Sequence, residues 1–404
     1  MENIVILGGG FAGLWAALTA AREVAHAKAT AAIGITLVSR DLFLTVRPRL
    51  YEAFHAGLRA PLAPTLTPLN VQLVAAEVTA VALDAQRVSL RHADGREEAL
   101  AYDRLILATG SEQIPLAVPG ASEFGLNIDT FAGAEAFDAH LKRTLEAPDT
   151  PGRLTFVVVG GGFTGIELAT EMRRRIALHS NAEIARASRV LLIEQANIIG
   201  PDLGANPRPH IDAALLGAQV EVRLGTRVAR IERSAVVLEN GERIPAATVI
   251  LTTGLRAQSL GASLGAPTDA SGRVVVDANL RVASHPAVFA AGDVAHAMAD
   301  ATHATLMSCQ HAVPAGKHAG YNAARDLLGL PLRAYNQPQY VTVLDLGDYG
   351  AIFTQGWDRQ IDQAGPEVKA LKQMVNTQWI YPPTGSAEAL LVAADIDAPW
   401  PPVV

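Results

Sequence analysis

The sequence predicts an α/β fold built twice over, with a small α+β region at its C-terminal end. Three observations predict it. Ile4 to Leu18 read IVILGGGFAGLWAAL, and Val157 to Met172 read VVVGGGFTGIELATEM, so the chain carries nearly the same glycine-rich phrase twice. Each phrase is followed by a second short apolar strand and then by an alternating stretch with a tight-turn dipeptide, Asp94-Gly95 in one copy and Asn240-Gly241 in the other. Each copy ends in a buried strand running into a glycine, LILATG at Leu105–Gly110 and TVILTTG at Thr248–Gly254.

In order, Asn3–Leu7 is a β-branched and apolar run suited to a strand buried on both faces. Gly8, Gly10 and Gly13 follow as G-x-G-x-x-G, and Phe11 and Ala12 lead into a helix. The first glycine of such a motif permits a tight turn, the second lets backbone approach a pyrophosphate, and the third lets helix and strand pack closely. Phosphates sit at such helix N-termini because unpaired N–H groups and the dipole favour anions. The next strand, Gly34–Val38, runs into Ser39-Arg40-Asp41 where an acid for a ribose is expected, and serine can still bond a ribose hydroxyl. Val71–Leu100 reads as an antiparallel meander, and Tyr102–Ser111 as a buried strand carrying Ala108, Thr109 and Gly110. In the second copy Gly160, Gly162 and Gly165 form the motif, with Phe163 and Thr164 opening the helix. Val190–Glu194 is a strand ending in an acid, Val220–Ile244 a meander, and Gly254 the closing glycine. Two such Rossmann-like units imply two dinucleotides; one can be FAD and the other NAD(P)H, held so that hydride passes between them within one complex. The expected domains are 1–115 with 270–330 for FAD, 150–265 for NAD(P)H, and 331–404 as a C-terminal hairpin and helix region.

Composition narrows the class. A chain of 404 residues is too long for one ordinary core, and 50% hydrophobic with 18% charged residues suits a globular protein. The net charge of -7 and the absence of a basic stripe argue against nucleic acid. The single cysteine, Cys309, precludes an internal disulfide and suits a reducing compartment. There is neither a signal-peptide pattern nor an apolar run long enough to span a membrane, so a cytoplasmic location is expected.

Gly272–His296 reads GRVVVDANLRVASHPAVFAAGDVAH. With the two glycine phrases it resembles the pyridine nucleotide-disulfide oxidoreductase superfamily, whose Gly-Asp at this place binds the FAD ribityl chain; here that implies Gly292 and Asp293. Within the superfamily the chain is most similar to type II NADH dehydrogenases. Pro48, Leu50 and Tyr51 in TVRPRLYEA match that family's Pro-Leu-Leu-Tyr stretch beside the flavin, and SCQHAVPAG at Ser308–Gly316 matches its A-Q-x-x-x-Q-x-G helix start, with Cys309 and Gln310 in the first two places. The resemblance covers roughly Met1 to Leu330. It implies FAD and NADH as cofactors, with Gly8, Gly10, Phe11, Ala12, Gly13, Ser39, Arg40, Arg47, Pro48, Val78, Ala108, Thr109, Gly110, Gly292, Asp293, Cys309 and Gln310 at the flavin. NADH then falls to Gly160, Gly162, Phe163, Thr164, Gly165, Glu194 and Gly254. Glu167 matches the family acid near nicotinamide and flavin, which with Gln310 makes it a candidate catalytic residue. Departures are Pro314 for the second Gln of the quinone pocket, and Arg47 and Arg49 for uncharged residues. Proline lacks an N–H, so the Gln310 carbonyl loses its helical partner.

Glu171 shares a helical face with Glu167 and is expected to be a solvated or capping acid. Arg47 and Arg49 are either rim charges or groups pointing at the acceptor. Cys309 reads as a buried small hydrophobe, and no histidine spacing suggests a metal site. Gln339–Trp357 reads as a hairpin and Pro366 opens a helix reaching about Asn376. Residues 377–404 contain no Lys or Arg, poor material for a membrane-surface helix. The expected activity is hydride transfer from NADH to FAD, then electrons to a quinone or other small acceptor, with no stable membrane attachment and with a homodimer as an open option. Two alternatives stay open: a flavoprotein of specialised metabolism acting on an organic substrate, and a non-catalytic nucleotide-sensing protein that keeps FAD.

Overall fold

Two five-stranded parallel sheets, alike in the order of four strands and different in the origin of the outermost one, organise the chain. The computed structural model describes residues 1–398. The first sheet runs Val288–Ala290, Arg104–Leu107, Glu2–Leu7, Ile33–Ser39, Gln72–Ala75, and the second Gly125–Asn127, Thr248–Leu251, Thr155–Val159, Arg189–Ile193, Val220–Arg223. Their central strands are the IVIL and VVV runs, nearly all buried, as parallel strands covered on both faces require. The repeat expected from the sequence is therefore a repeat of topology.

Two strand expectations need correction. Gln72–Ala75 and Val220–Arg223 do not belong to the meanders; each is the edge strand of its parallel sheet. The meanders proper are Glu77–Ala82, Arg87–Arg91, Glu97–Ala101 and Val228–Glu232, Ala235–Leu238, Arg243–Pro245. Short apolar runs beside alternating ones share the same residue types, so periodicity alone does not separate them. Both turn glycines behave as expected, Gly95 at φ +85° and Gly241 at φ +88°. An antiparallel pair, Ser111–Gln113 with Leu255–Ala257, stitches the two units together.

Two helices set the site against the first sheet. Phe11–His26, the first glycine helix, crosses the late helix Cys309–Leu327 backbone to backbone. A Cβ at Gly316 would lie 2.3 Å from the Ala12 carbonyl oxygen, and one at Gly320 would lie 2.1 Å from that of Ala16. Only glycine permits this approach, and it carries the Cys309 end of the late helix to the first glycine loop.

The C-terminal part is a three-stranded antiparallel sheet, Val341–Asp345, Ala351–Gln355 and Gln360–Gly365, one strand more than the expected hairpin. The helix Pro366–Met374 follows, then a wider turn at Val375–Trp379. The tail folds back on the first unit. Lys317 Nζ donates to the carbonyls of Ala393 and Asp395, both at 3.0 Å, Thr19 Oγ1 donates to that of Ala394 at 2.9 Å, and Arg22 pairs with Asp395 at 2.6 Å. Among the described residues no helix is long and apolar enough to cross a membrane.

Candidate active site between two glycine cradles

The two glycine phrases fold alike, atom for atom in their constraints. Gly8 and Gly160 both hold φ +114°, where a Cβ would meet the carbonyl oxygen of Ala108 at 2.3 Å or of Thr252 at 2.2 Å. A Cβ at Gly13 would lie 1.8 Å from the Gly8 oxygen, and one at Gly165 1.9 Å from the Gly160 oxygen. Gly10 and Gly162 differ: nothing lies within 4 Å of a Cβ built on either. Their open sides face a cavity of about 1750 Å³. Both are helix N-caps without a side-chain bond, and neither first turn holds an acid, so the leading N–H groups are left for an anion. The cradles thus fit two dinucleotide phosphates.

Most of the expected residues line that one cavity. Gly10, Phe11, Ala12, Arg47, Pro48, Ala108, Gly110, Asp293, Cys309 and Gln310 form one part of the wall, and Gly160, Gly162, Phe163, Thr164, Glu167, Glu194 and Gly254 another. Gly8, Gly13, Gly165 and Gly292 stand behind it and make the close approaches; a Cβ at Gly292 would lie 2.8 Å from Cβ of Ala12. Ser39, Arg40, Val78 and Thr109 are not on the wall. Ser39 instead lies under the loop, its Oγ 2.6 Å from where a Gly9 Cβ would stand. Thr109 Oγ1 is buried without a partner beside the wall residues Ala108 and Gly110.

Charge on the flavin-side wall is organised around Asp293, on the turn Gly292–Val294. Burial pushes its carboxyl above the ordinary range. Ser111 Oγ donates to it at 2.6 Å, and Arg47 stands 3.7 Å away. Arg47 also donates to Ser111 Oγ at 2.9 Å and pairs with Asp129 at 2.5 Å. It lines the cavity with both of its terminal nitrogens engaged, tying Asp293 to Asp129. Arg49 departs further from both readings. It is buried, off the cavity, and held by Glu52 at 2.8 Å, Tyr381 Oη at 2.5 Å and His55 Nε2 at 3.2 Å.

Glu167 projects from the second glycine helix and is 3% exposed. Burial raises its carboxyl to about 7, although Lys372 Nζ lies 2.9 Å away and the Asp345 N–H donates to it at 3.1 Å. Lys372 comes from the C-terminal helix and also donates to the Val343 carbonyl at 2.9 Å. Glu171 is not solvated. It is buried and paired with Lys369 at 2.6 Å, while Lys369 also reaches Asp345 at 2.7 Å and Tyr51 Oη donates to Asp345 at 2.9 Å. Neither lysine carried a sequence signal, because each looks like an exposed helical cation until the helix is docked.

The late helix begins at the wall. Ser308 caps it, accepting from the His311 N–H. Cys309 is half-buried, and burial lifts its thiol to about 11, which keeps it protonated at neutral pH. The Gln310 side-chain amide pairs with the peptide of Val341, donating to its carbonyl at 2.6 Å and accepting from its N–H at 3.0 Å. Pro314 lies inside the helix as expected, yet the Gln310 carbonyl is not orphaned: Gln337 Nε2 donates to it at 3.0 Å. Beyond, Phe353, Leu371, Met374, Val375, Trp379 and Ile380 make an apolar part of the wall.

The sequence model of the pyridine nucleotide-disulphide oxidoreductase family matches residues 2–316. The chain belongs to that family. This oxidoreductase is 44% identical over 396 residues to an NADH dehydrogenase-like protein of Mycobacterium tuberculosis, an alignment spanning 98% of each chain. It is 29% identical over 361 residues to the demethylphylloquinone reductase of Synechocystis, spanning 87% of this chain and 86% of that one. The NDH2 of Plasmodium falciparum, solved with NADH, shares its fold at a TM-score of 0.78 and 14% identity, covering 99% of this chain and 98% of that one. The sulfide:quinone oxidoreductase of Aquifex aeolicus does so at 0.76 and 18%, covering 99% and 93%. The oxidoreductase is thus a two-dinucleotide flavoprotein of NADH dehydrogenase-like type.

Proposed function

We propose that the protein takes hydride from NADH onto FAD and passes the electrons to a quinone or another small acceptor. The observation that carries this is the pair of matched glycine cradles opening on one cavity, with the buried Glu167–Lys372 pair on its wall. Residues 1–115 and 270–330 would hold FAD, with Gly10, Ala12, Gly110 and Asp293 nearest the wall; residues 150–265 would hold NADH. FAD, when bound, supplies the hydride acceptor and the relay to the second substrate.

The chain's own groups bind, orient and manage protons. The leading N–H groups after Gly10 and Gly162 take phosphate charge. Glu194 accepts from the N–H of Gly161 and of Ala196, both at 2.7 Å, and keeps lone pairs for ribose hydroxyls. Its negative charge disfavours a 2′-phosphate, so NADH should be preferred over NADPH. Glu167 changes protonation near neutral pH and holds a proton inside a water-poor wall. The protonated Cys309 thiol supports electron transfer without thiol–disulfide exchange. The apolar surface from Phe353 to Ile380 suits a flat organic acceptor. The tail without basic residues supports an acceptor range not restricted to membrane-embedded quinone.

The test is anaerobic mixing of the yellow protein with NADH, followed by a panel of water-soluble quinones, long-chain quinones and polar acceptors. Rapid bleaching by NADH, slower bleaching by NADPH, and reoxidation by a quinone are expected. Flavin that stays oxidised with NADH would sink the reading.

A further inference from the structure

Arg359 sits at the tip of the hairpin between Ala351–Gln355 and Gln360–Gly365, far in sequence from either glycine loop, yet it lines the same cavity. It holds φ +49°, a left-handed conformation in which glycine or asparagine would be at ease. Its guanidinium is half-buried, and no carboxylate lies within ion-pair distance among the described residues. One terminal nitrogen donates to the Asp202 carbonyl, the other to Tyr340 Oη at 3.2 Å, and Nε is buried with no partner. Its two acceptors are neutral and its remaining partner is the Tyr340 ring, 5.6 Å from Cζ to the centroid, so no negative charge balances the half-buried cation, an arrangement that favours an anion.

The position says which anion. Asp202 lies on the turn Pro201–Leu203, and that turn is joined to the second glycine loop where the Gly200 N–H donates to the Gly161 carbonyl at 3.0 Å. Pro201, Asp202, Gly160, Gly162 and Thr164 line the cavity together with Arg359. The hairpin tip is tethered there a second time, Asn206 Nδ2 donating to the Asp358 carbonyl at 2.8 Å. We propose that Arg359 is a binding residue for the pyrophosphate of NADH, reaching from the C-terminal hairpin to the phosphates held by the second glycine loop. The inference rests on the reading of NADH as the donor. It gives the C-terminal region a share of the nucleotide site, and a planar guanidinium whose partners are neutral suits a phosphate oxygen.

The test compares NADH with reduced nicotinamide riboside, which has no phosphate, as reductants of the flavin-loaded protein. In Arg359→Gln the apparent Kd for NADH should rise about tenfold, the loss of one charge-assisted hydrogen bond. The Kd for the riboside and the limiting bleaching rate should stay unchanged. Arg359→Gly, which relieves the left-handed backbone, should show the same split with undiminished Tm. Asn206→Ala cuts the other tether and keeps the cation, so it should bind NADH as the parent does. Equal losses for both reductants, or an Asn206→Ala protein that copies Arg359→Gln, would overturn the proposal in favour of a plain tether. A parent protein that NADH does not bleach would instead remove the donor assignment itself.

Discussion

Burial decides the protonation of Glu167, and the sign of its effect on stability follows. Burial raises its carboxyl to about 7 in the folded protein, whereas the ordinary value for an unfolded glutamate is about 4.3. The folded state binds this proton more tightly, so the stabilisation is complete below the unfolded value and is lost as pH rises through about 7. Glu167→Gln removes the titration. The Tm of the parent relative to that variant should therefore fall between about pH 5 and pH 8, and a constant difference would refute the assignment. Lys372→Met should be costlier, by roughly 3–5 kcal/mol in urea unfolding above neutral pH, because it strands a buried carboxylate. Glu167 was legible in the sequence through FTGIELATE, but its protonation was not, since both Lys372 and the Asp345 peptide arrive from the C-terminal region. The same distance hid the Glu171–Lys369 pair and the burial of Arg49 against Tyr381.

Helices and strands show why local pattern reaches only so far. Pro314 predicted a broken hydrogen bond within its helix, and the proline is there, but the freed carbonyl is taken up by a side chain from another segment. Gln337→Ala should cost about 1–3 kcal/mol in urea unfolding by orphaning the Gln310 carbonyl. Pro314→Ala restores an N–H to that carbonyl, so the Gln337→Ala penalty should shrink in the double variant; equal penalties in both backgrounds would show that Gln337 acts elsewhere. The helix crossing is stricter. Gly320→Val places carbon where the Ala16 carbonyl stands, and should both lower Tm and weaken retention of the yellow cofactor, since the same crossing positions the first glycine loop. Both glycine phrases were legible because each demands residues that nothing else can replace. The edge strands were not, because Gln72–Ala75 and Val220–Arg223 owe their parallel pairing to neighbours that the local sequence does not name.

On the scale of the molecule, repeat, order and charge combine. The doubled phrase was enough to foresee two like units, and four of the five strands in each sheet follow the same order. The joins between units were hidden. Arg47 is one of them, paired with Asp129 just past the outer strand of the second sheet, and so Arg47→Ala should slow turnover equally with charged and neutral acceptors while loosening the units toward protease. A selective effect on charged acceptors would return it to a role at the substrate. With net charge -7 and the tail anchored on Lys317 and Thr19, the protein should not float with anionic vesicles at low salt; tight flotation would contradict the tail argument. The outermost strand of the first sheet is Val288–Ala290, whereas the second sheet is finished by Thr248–Leu251 and begins at Gly125–Asn127. On a ribosome that difference becomes a timetable. The later-numbered unit has all its strands outside the exit tunnel first, while the earlier one waits with an open sheet edge until residue 290 emerges. The N-terminal unit is therefore the last to close, and the stretch of synthesis between the two events is when this chain most needs protection from pairing with another copy of itself.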